Sequence, residues 1–258
     1  MWFSPPFSKG RSGGIKRKRF VTYLFISDLH LSPDHPRLIR GFLDLLDHYR
    51  TQETQLYILG DWFNAWIGDD YSAPWLDDIV EHLKAFTAAG NRVYFQVGNR
   101  DFALHQVFLN QFNGQLLPDI DTLTIGQTKI RIEHGDALCT DDVKYQRFKK
   151  VIRNPFLISF LRKTPLSFRT KLAEGFRKRS NHTKEFKSYE VMDVNQGAVA
   201  EALKDVDLLI HGHTHRPQIH HEYGKLRIVL GDWREDQAQI LEIDNPNEHS
   251  FSLKTWSY

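Results

Sequence analysis

One cysteine, two methionines and the lack of any long apolar run are the scarcities of this 258-residue chain, and each excludes something. With Cys139 alone, no intramolecular disulfide can form, and a reducing compartment fits. The longest apolar stretch, Phe156-Leu157-Ile158-Ser159-Phe160-Leu161, falls far short of the roughly 20 residues that a membrane span needs. The N-terminus is basic but has no apolar core behind it, which argues against a secretory signal and for a cytosolic protein. Internal repeats are also lacking. No overall excess of charge points to a polyanion partner, because the net charge is only +2.

That small net charge hides a segregation. Between Lys144 and Lys187 there are fourteen Lys/Arg against two acids, Glu174 and Glu185, and Lys9 to Arg19 adds six more basic residues. The remainder carries fourteen basic residues against thirty acids. A basic surface on an acidic body is expected to meet anionic lipid, phosphate or nucleic acid. At 41% hydrophobic residues the chain has material for one sizeable core with an appendage.

Residues 1–19 are poor in core formers and read as a basic tail without fixed structure. From Val21 onward, short β-rich runs alternate with helical periodicity. The runs Leu38-Ile39, Phe42-Leu43 and Leu45-Leu46 predict one helix, and Ile79-Val80, Leu83 and Phe86 another ending before Gly90. Such alternation argues for an α/β fold with a layered sheet. Residues 151–187 contain two prolines, Pro155 and Pro165, much of the basic charge and no convincing strand, so a helical insertion is expected between core segments 20–150 and 188–258. A helix is expected to start near Asp193-Val194-Asn195.

Five apolar runs end in residues that ligate metals. They are Phe25-Ile26-Ser27-Asp28-Leu29-His30, Leu56-Tyr57-Ile58-Leu59-Gly60-Asp61, Phe95-Gln96-Val97-Gly98-Asn99-Arg100-Asp101, Ile130-Arg131-Ile132-Glu133-His134-Gly135-Asp136 and Leu209-Ile210-His211-Gly212-His213-Thr214-His215. Strands that stop at tight turns gather such residues along one sheet edge. Two Asp, an Asn and four His form a mixed oxygen and nitrogen set large enough for two divalent ions sharing a carboxylate. Asp61 is the natural bridge, with one oxygen for each ion. The mixture suits manganese, iron or zinc better than magnesium, and manganese is the first expectation. Two such ions clamp a phosphoryl group and bring the pKa of a water toward ~7, so no nucleophilic side chain is needed. Each motif alone has a bland reading as a strand-ending turn, whereas the ordered set does not.

The set Asp28/His30, Gly60-Asp61, Gly98-Asn99, His134 and Gly212-His213/His215 resembles the calcineurin-like metallophosphoesterase superfamily. The resemblance implies a two-sheet sandwich flanked by helices. It also implies one ion held by Asp28, His30, Asp61 and His215, and a second held by Asp61, Asn99, His134 and His213.

A narrower resemblance rests on Arg100 where most of the superfamily has His. It rests also on Trp66-Ile67-Gly68-Asp69-Asp70, on His134 through Asp142, on Met192-Asp193-Val194-Asn195-Gln196 and on His213-Thr214-His215-Arg216-Pro217. Together these are similar to the UDP-2,3-diacylglucosamine pyrophosphatases of Gram-negative lipid A synthesis, over about Tyr23 to Trp233. The basic tail and Asn64, where that family often has an acid, depart from the pattern. The resemblance implies hydrolysis to UMP and diacylglucosamine 1-phosphate, with the insertion capping the site and an anionic inner-membrane surface as neighbour. It carries over Asn99, Arg100, Asp142, Ser180, Lys184, Lys187 and His213 as substrate contacts, with Asn99 and Arg100 catalytic. A guanidinium at Arg100 can fork onto a phosphate. The stripe Phe168, Leu172 and Phe176 reads either as core packing or as an acyl-binding surface, where one chain with ~10 buried methylenes would contribute ~8 kcal/mol. Two other readings stand beside this one. One is a nuclease or cyclic-nucleotide phosphodiesterase using the same ions, against which Arg100 counts, and no nucleic-acid or obligate protein partner is expected. The other is a binding module with a vestigial site, which would have lost ligands that are all present here.

Overall fold

A computed structural model describes residues 21–173, 175, 193–244 and 251–258. The tail 1–19 and the substrate contacts expected at Ser180, Lys184 and Lys187 lie outside the described residues, as does Phe176.

Two sheets face each other. The first has the order β11 (Phe251–Ser257), β10 (Gln237–Ile243), β1 (Thr22–Ile26), β2 (Thr54–Leu59), β3 (Arg92–Gln96) and β4 (Gln115–Leu116). The second runs β5 (Ile120–Ile125), β6 (Thr128–Glu133), β7 (Leu208–His211), β9 (Lys225–Val229) and β8 (Gln218–Glu222). Strands β1 to β4 are parallel, as are β6, β7 and β9, while β10 and β11 and the outer β5 and β8 pair antiparallel. This is the two-sheet α/β architecture that the resemblance implied.

The period-two alternation of side chains separates the layers. Leu24, Ile26, Leu56, Ile58, Val93 and Phe95 point to one side, into a core with Phe42 and Leu45 of α1 (Pro36–Tyr49) and Leu83 and Phe86 of α2 (Pro74–Ala88). Their neighbours Phe25, Tyr57 and Leu59 point the other way, against Ile130, Ile132, Leu208, Ile210 and Ile228 between the sheets. The far face of the second sheet packs Leu209 against Val199 and Leu203. After the short helix α3 (Gln106–Leu109) and β4, the chain crosses to the second sheet.

The helical insertion, the expected cap, leaves the core as α4 (Val143–Ile152), α5 (Pro155–Arg162) and α6 (helical at 166–173), with no strand among the described residues between β6 and β7. The expected boundary at residue 151 therefore falls within the last turn of α4. Pro155 opens α5 at its first turn, where a missing N–H costs nothing, and Asn154 Oδ1 accepts from Phe156 N at 2.9 Å. The chain returns as α7 (Gln196–Ala202), capped by Asn195, whose Oδ1 accepts from Gly197 N and Ala198 N at 2.9 and 3.1 Å. The expected helix start near Asp193-Val194-Asn195 is met.

Of the expected stripe, the described members Phe168 and Leu172 lie on α6, Leu172 half-buried and Phe168 largely exposed. Phe168 is 51% exposed, and the buried side chain of that turn is Arg169. On α5 no residue is buried, and Phe156 and Phe160 are 86% and 64% exposed.

Candidate metal centre

The parallel strands of both sheets deliver their C-terminal ends to one edge. Asp28 and His30 follow β1, Asp61 follows β2, Asn99 follows β3, His134 follows β6, and His213 and His215 follow β7. Leaving a buried strand abruptly forces left-handed backbone. Seven described non-glycine residues have positive φ, and five of them are Asp28 (55°), His30 (51°), Asp61 (51°), His213 (70°) and His215 (56°). Such backbone is costly outside glycine and concentrates at functional sites, with Asp and His among the residues that tolerate it. Glycines let these turns close together. A Cβ on Gly98 would overlap Asp61 Oδ1, and one on Gly212 would overlap Asp28 Oδ2.

Three carboxylates organise the edge. Asp28 Oδ2 accepts from Ser27 Oγ at 2.7 Å and from His213 N at 2.9 Å, which ties the β1 turn to the β7 turn. No aligned hydrogen bond reaches Asp28 Oδ1, although His215 Nε2 lies 3.2 Å away. Asp61 Oδ1 accepts from Arg100 N at 2.8 Å, and the two Asp61 oxygens face different rings. Oδ2 is 3.9 Å from His30 Nδ1, and Oδ1 is 3.7 Å from His134 Nε2. Asp101 is fully buried and accepts from the N–H groups of Gly98, Asp61, Trp62 and Phe63 at 2.7, 3.3, 2.7 and 3.4 Å. Asp101 stood in the quoted motif without a role, and its role is to fasten the Asp61 turn to the Asn99 turn.

The imidazoles are set for a cation. His134 Nδ1 donates to the Leu59 carbonyl at 2.9 Å, so the neutral ring presents a lone pair at Nε2. That lone pair faces Asn99 Oδ1 at 3.1 Å and Asp61 Oδ1 at 3.7 Å. With the ring neutral, three electron-pair donors converge there, which is what a metal ion satisfies. Asp28, His30 and His215 form a second such group, and Asp28 also lies within ligand reach of the Asp61/His134 group. His30 Nδ1 is buried with no hydrogen-bond partner. The His213 ring lies beside that of His134, with centroids 5.0 Å apart. The residues present fit two divalent ions, with Asp28 as well as Asp61 at the junction.

Electrostatics agree with that fit. Burial alone would depress His134, yet the charges of Asp61, Asp28 and Asp136 raise it, a mark of unbalanced negative charge. Burial lowers His213 to about 4, leaving its ring neutral and able to ligate at pH 7. Asp28 is buried, which opposes ionisation, but His215, His134 and His30 hold it below the ordinary carboxylate range. Cys139 is pushed up to about 12 by burial and nearby acids, so it offers no thiolate.

Around the centre the structure adds residues that the sequence did not single out. Asp136 is buried and accepts from Lys149 Nζ at 2.9 Å and from the Tyr145 hydroxyl, both on α4. Arg153 Nη2 donates to the Gly98 carbonyl at 2.7 Å, and its Nη1 pairs with Asp119 at 2.5 Å. These contacts root the cap on the loops carrying His134 and Asn99. No sequence signal could pair partners this far apart. Asp142, expected as a substrate contact, caps α4 by accepting from Tyr145 N at 3.1 Å. Arg100 is half-buried beside His30 and His215, on the wall of an open cavity of about 440 Å³.

Sandwich, ligand set and glycine turns together define a metal-dependent phosphoesterase. The chain belongs to the calcineurin-like phosphoesterase family, whose model matches residues 21–217. Within it, the chain is 44% identical over 229 residues to the UDP-2,3-diacylglucosamine hydrolase of Haemophilus influenzae, covering 88% of this chain and 97% of that one. It is 43% identical over 223 residues to the hydrolase of the same name from Neisseria meningitidis serogroup A, covering 85% and 93%. The Vibrio vulnificus hydrolase of that name is 41% identical over 229 residues, covering 86% and 94%.

Proposed function

We propose that this chain hydrolyses the pyrophosphate bond of UDP-2,3-diacylglucosamine, releasing UMP and 2,3-diacylglucosamine 1-phosphate for lipid A synthesis. The observation that carries the reading is the convergence of Asp28, His30, Asp61, Asn99, His134, His213 and His215 at one sheet edge, in a chain 44% identical to a hydrolase of that name. Asp28, His30, Asp61 and His215 would hold one ion, and Asp61, Asn99, His134 and His213 the other. Manganese suits this mixture of nitrogen and oxygen donors. Such ions would polarise the phosphoryl oxygens and acidify a water for attack at phosphorus.

The remaining work falls to the chain. Arg100, fixed through its backbone to Asp61 Oδ1, would fork its guanidinium onto a phosphate whose charge grows during the reaction. Asn99 would position a phosphate oxygen opposite it. Ser180, Lys184 and Lys187, with Asp142, remain the contacts assigned to the phosphorylated sugar. The acyl chains are assigned to the cap, residues 151–187 in the sequence reading. Its exposed Phe156, Phe160 and Phe168 beside basic Lys150, Arg162 and Lys163 suit acyl chains and the anionic surface of an inner membrane. No helix among the described residues is long and apolar enough to cross a membrane.

The test is an assay of the purified protein with Mn²⁺ against UDP-diacylglucosamine and, in parallel, a cyclic nucleotide. UMP release from the first is expected. Turnover of the cyclic nucleotide alone would favour the general phosphodiesterase reading instead.

A further inference from the structure

The cap and the open cavity adjoin different residues of the expected ligand set. On the cap side, the Tyr145 ring of α4 stacks toward His213 with centroids 6.3 Å apart, and His213 in turn lies against His134. On the other side, His30 and His215 stand 5.4 Å apart and form, with Arg100, the inner wall of the cavity of about 440 Å³. That volume lies within the ~300–1,000 Å³ of ordinary small-molecule sites. A pyrophosphate lying across the ligands with one half beside Tyr145 and His213 would have its other half within reach of this cavity.

The lining of the cavity suits a nucleoside. Leu38 and Trp233, both buried, give it an apolar floor. Asn64, half-buried at the edge, offers one donor and one acceptor, the complement of a pyrimidine edge. Glu235 pairs with His35 Nδ1 at 2.9 Å at the exposed rim of the cavity, both residues lining it, where a ribose diol could donate to the carboxylate. We propose that this cavity holds the uridine half of the substrate, with Asn64 reading the base and the His35–Glu235 pair holding the ribose. The assignment rests on the pyrophosphatase reading and gives the nucleotide a place beside Arg100, His30 and His215.

The experiment is calorimetric titration of the Mn²⁺-loaded protein with UMP, inorganic phosphate and diacylglucosamine 1-phosphate, for wild type, Asn64→Ala and Glu235→Ala. Removing one hydrogen-bonding partner should weaken UMP by about three- to tenfold in each variant. Inorganic phosphate and the lipid product should bind as to wild type, because neither needs Asn64 or Glu235. Melting temperatures should stay unchanged, since Asn64 is only half-buried and Glu235 is exposed. UMP affinity unaltered in both variants, an equal loss for inorganic phosphate, or no UMP binding by the wild type would each overturn the assignment. Failure of the wild type to hydrolyse UDP-diacylglucosamine while the variants still lose UMP would sink the pyrophosphatase reading and leave a nucleotide cavity. Hydrolysis with unaltered UMP affinity would sink the cavity alone.

Discussion

Asp101 accepts a hydrogen bond from the backbone of Asp61, residue to residue across two strand ends, while its other contacts hold Gly98, Trp62 and Phe63. The metal-site turn is thus pinned by a side chain that faces no ligand position. Burial and the Asp61 charge push the Asp101 carboxyl upward, and the backbone N–H groups of Gly98 and Trp62 oppose them.

Asp101→Asn keeps the shape but turns an amide NH₂ toward backbone donors. The loss of charge-assisted hydrogen bonds should destabilise the fold by about 2–3 kcal/mol, with metal affinity falling as the two turns separate. Denaturant unfolding and Mn²⁺ titration read the two effects. Wild-type values for both would remove Asp101 from its fastening role.

Asp61→Ala removes the carboxylate whose oxygens face His30 and His134. A folded protein with metal content reduced and turnover abolished is expected, several kcal/mol of barrier being lost at ~1.4 kcal/mol per tenfold in rate. Near-normal turnover at saturating Mn²⁺ would exclude a bridge at this residue.

Arg100 touches Asp61 only through its backbone N–H, so its side chain can be changed without disturbing that contact. Arg100→Ala should lower kcat strongly at unchanged metal content. Arg100→Lys should restore only part, because a point charge cannot reproduce the fork. Full activity in either variant would take the guanidinium out of the mechanism.

Much of this was legible in the sequence because the signal was local. A ligand just past an apolar run marks a strand end, so all seven expected ligands could be read from strand-end motifs. The Arg169 clamp was not legible, since its partners Ile67 and Asp70 lie about a hundred positions away in the chain. The same distance hid the physical sense of Trp66-Ile67-Gly68-Asp69-Asp70. Asp69 accepts from Trp66 Nε1 at 3.1 Å and from His105 N and Phe108 N at 3.0 and 2.9 Å, so it holds α3, while Asp70 holds the cap. Helical spacing alone likewise could not say that the α6 stripe hides Arg169 and shows Phe168.

On α5, exposure separates packing from lipid contact. Phe156→Ser with Phe160→Ser removes two largely exposed side chains, so the melting temperature should change by only a few degrees from wild type. If they meet acyl chains or membrane, catalytic efficiency should fall far more for the diacylated substrate than for a deacylated UDP-sugar. An unchanged ratio would leave the acyl site elsewhere on the cap.

The last test concerns how the cap is moored. Arg169 Nη1 donates to the Ile67 carbonyl and to Asp70 Oδ1, both at 2.7 Å, and its Nη2 pairs with Asp70 Oδ2. The Arg169 hydrogen bond holds the Asp70 carboxyl below its ordinary value, despite some opposing burial. A depressed carboxylate stabilises the folded state above its unfolded value of about 3.9 and loses that contribution as pH falls through the folded value. Asp70→Asn should therefore loosen the cap at pH 7, and the difference from wild type should shrink as pH falls below the unfolded value and be lost once it passes the lowered folded value. Because Asp70 is 56% exposed, the effect should be about 1 kcal/mol or less and should shrink in salt. Gly68→Ala should be worse, since its Cβ would overlap Arg169 Nη1 at a φ of 135°. Limited proteolysis across 143–173 reads the mooring directly. Equal cleavage of wild type and both variants at pH 7 would mean that the contacts of α4 and Arg153 with Asp136, Gly98 and Asp119 suffice to hold the cap.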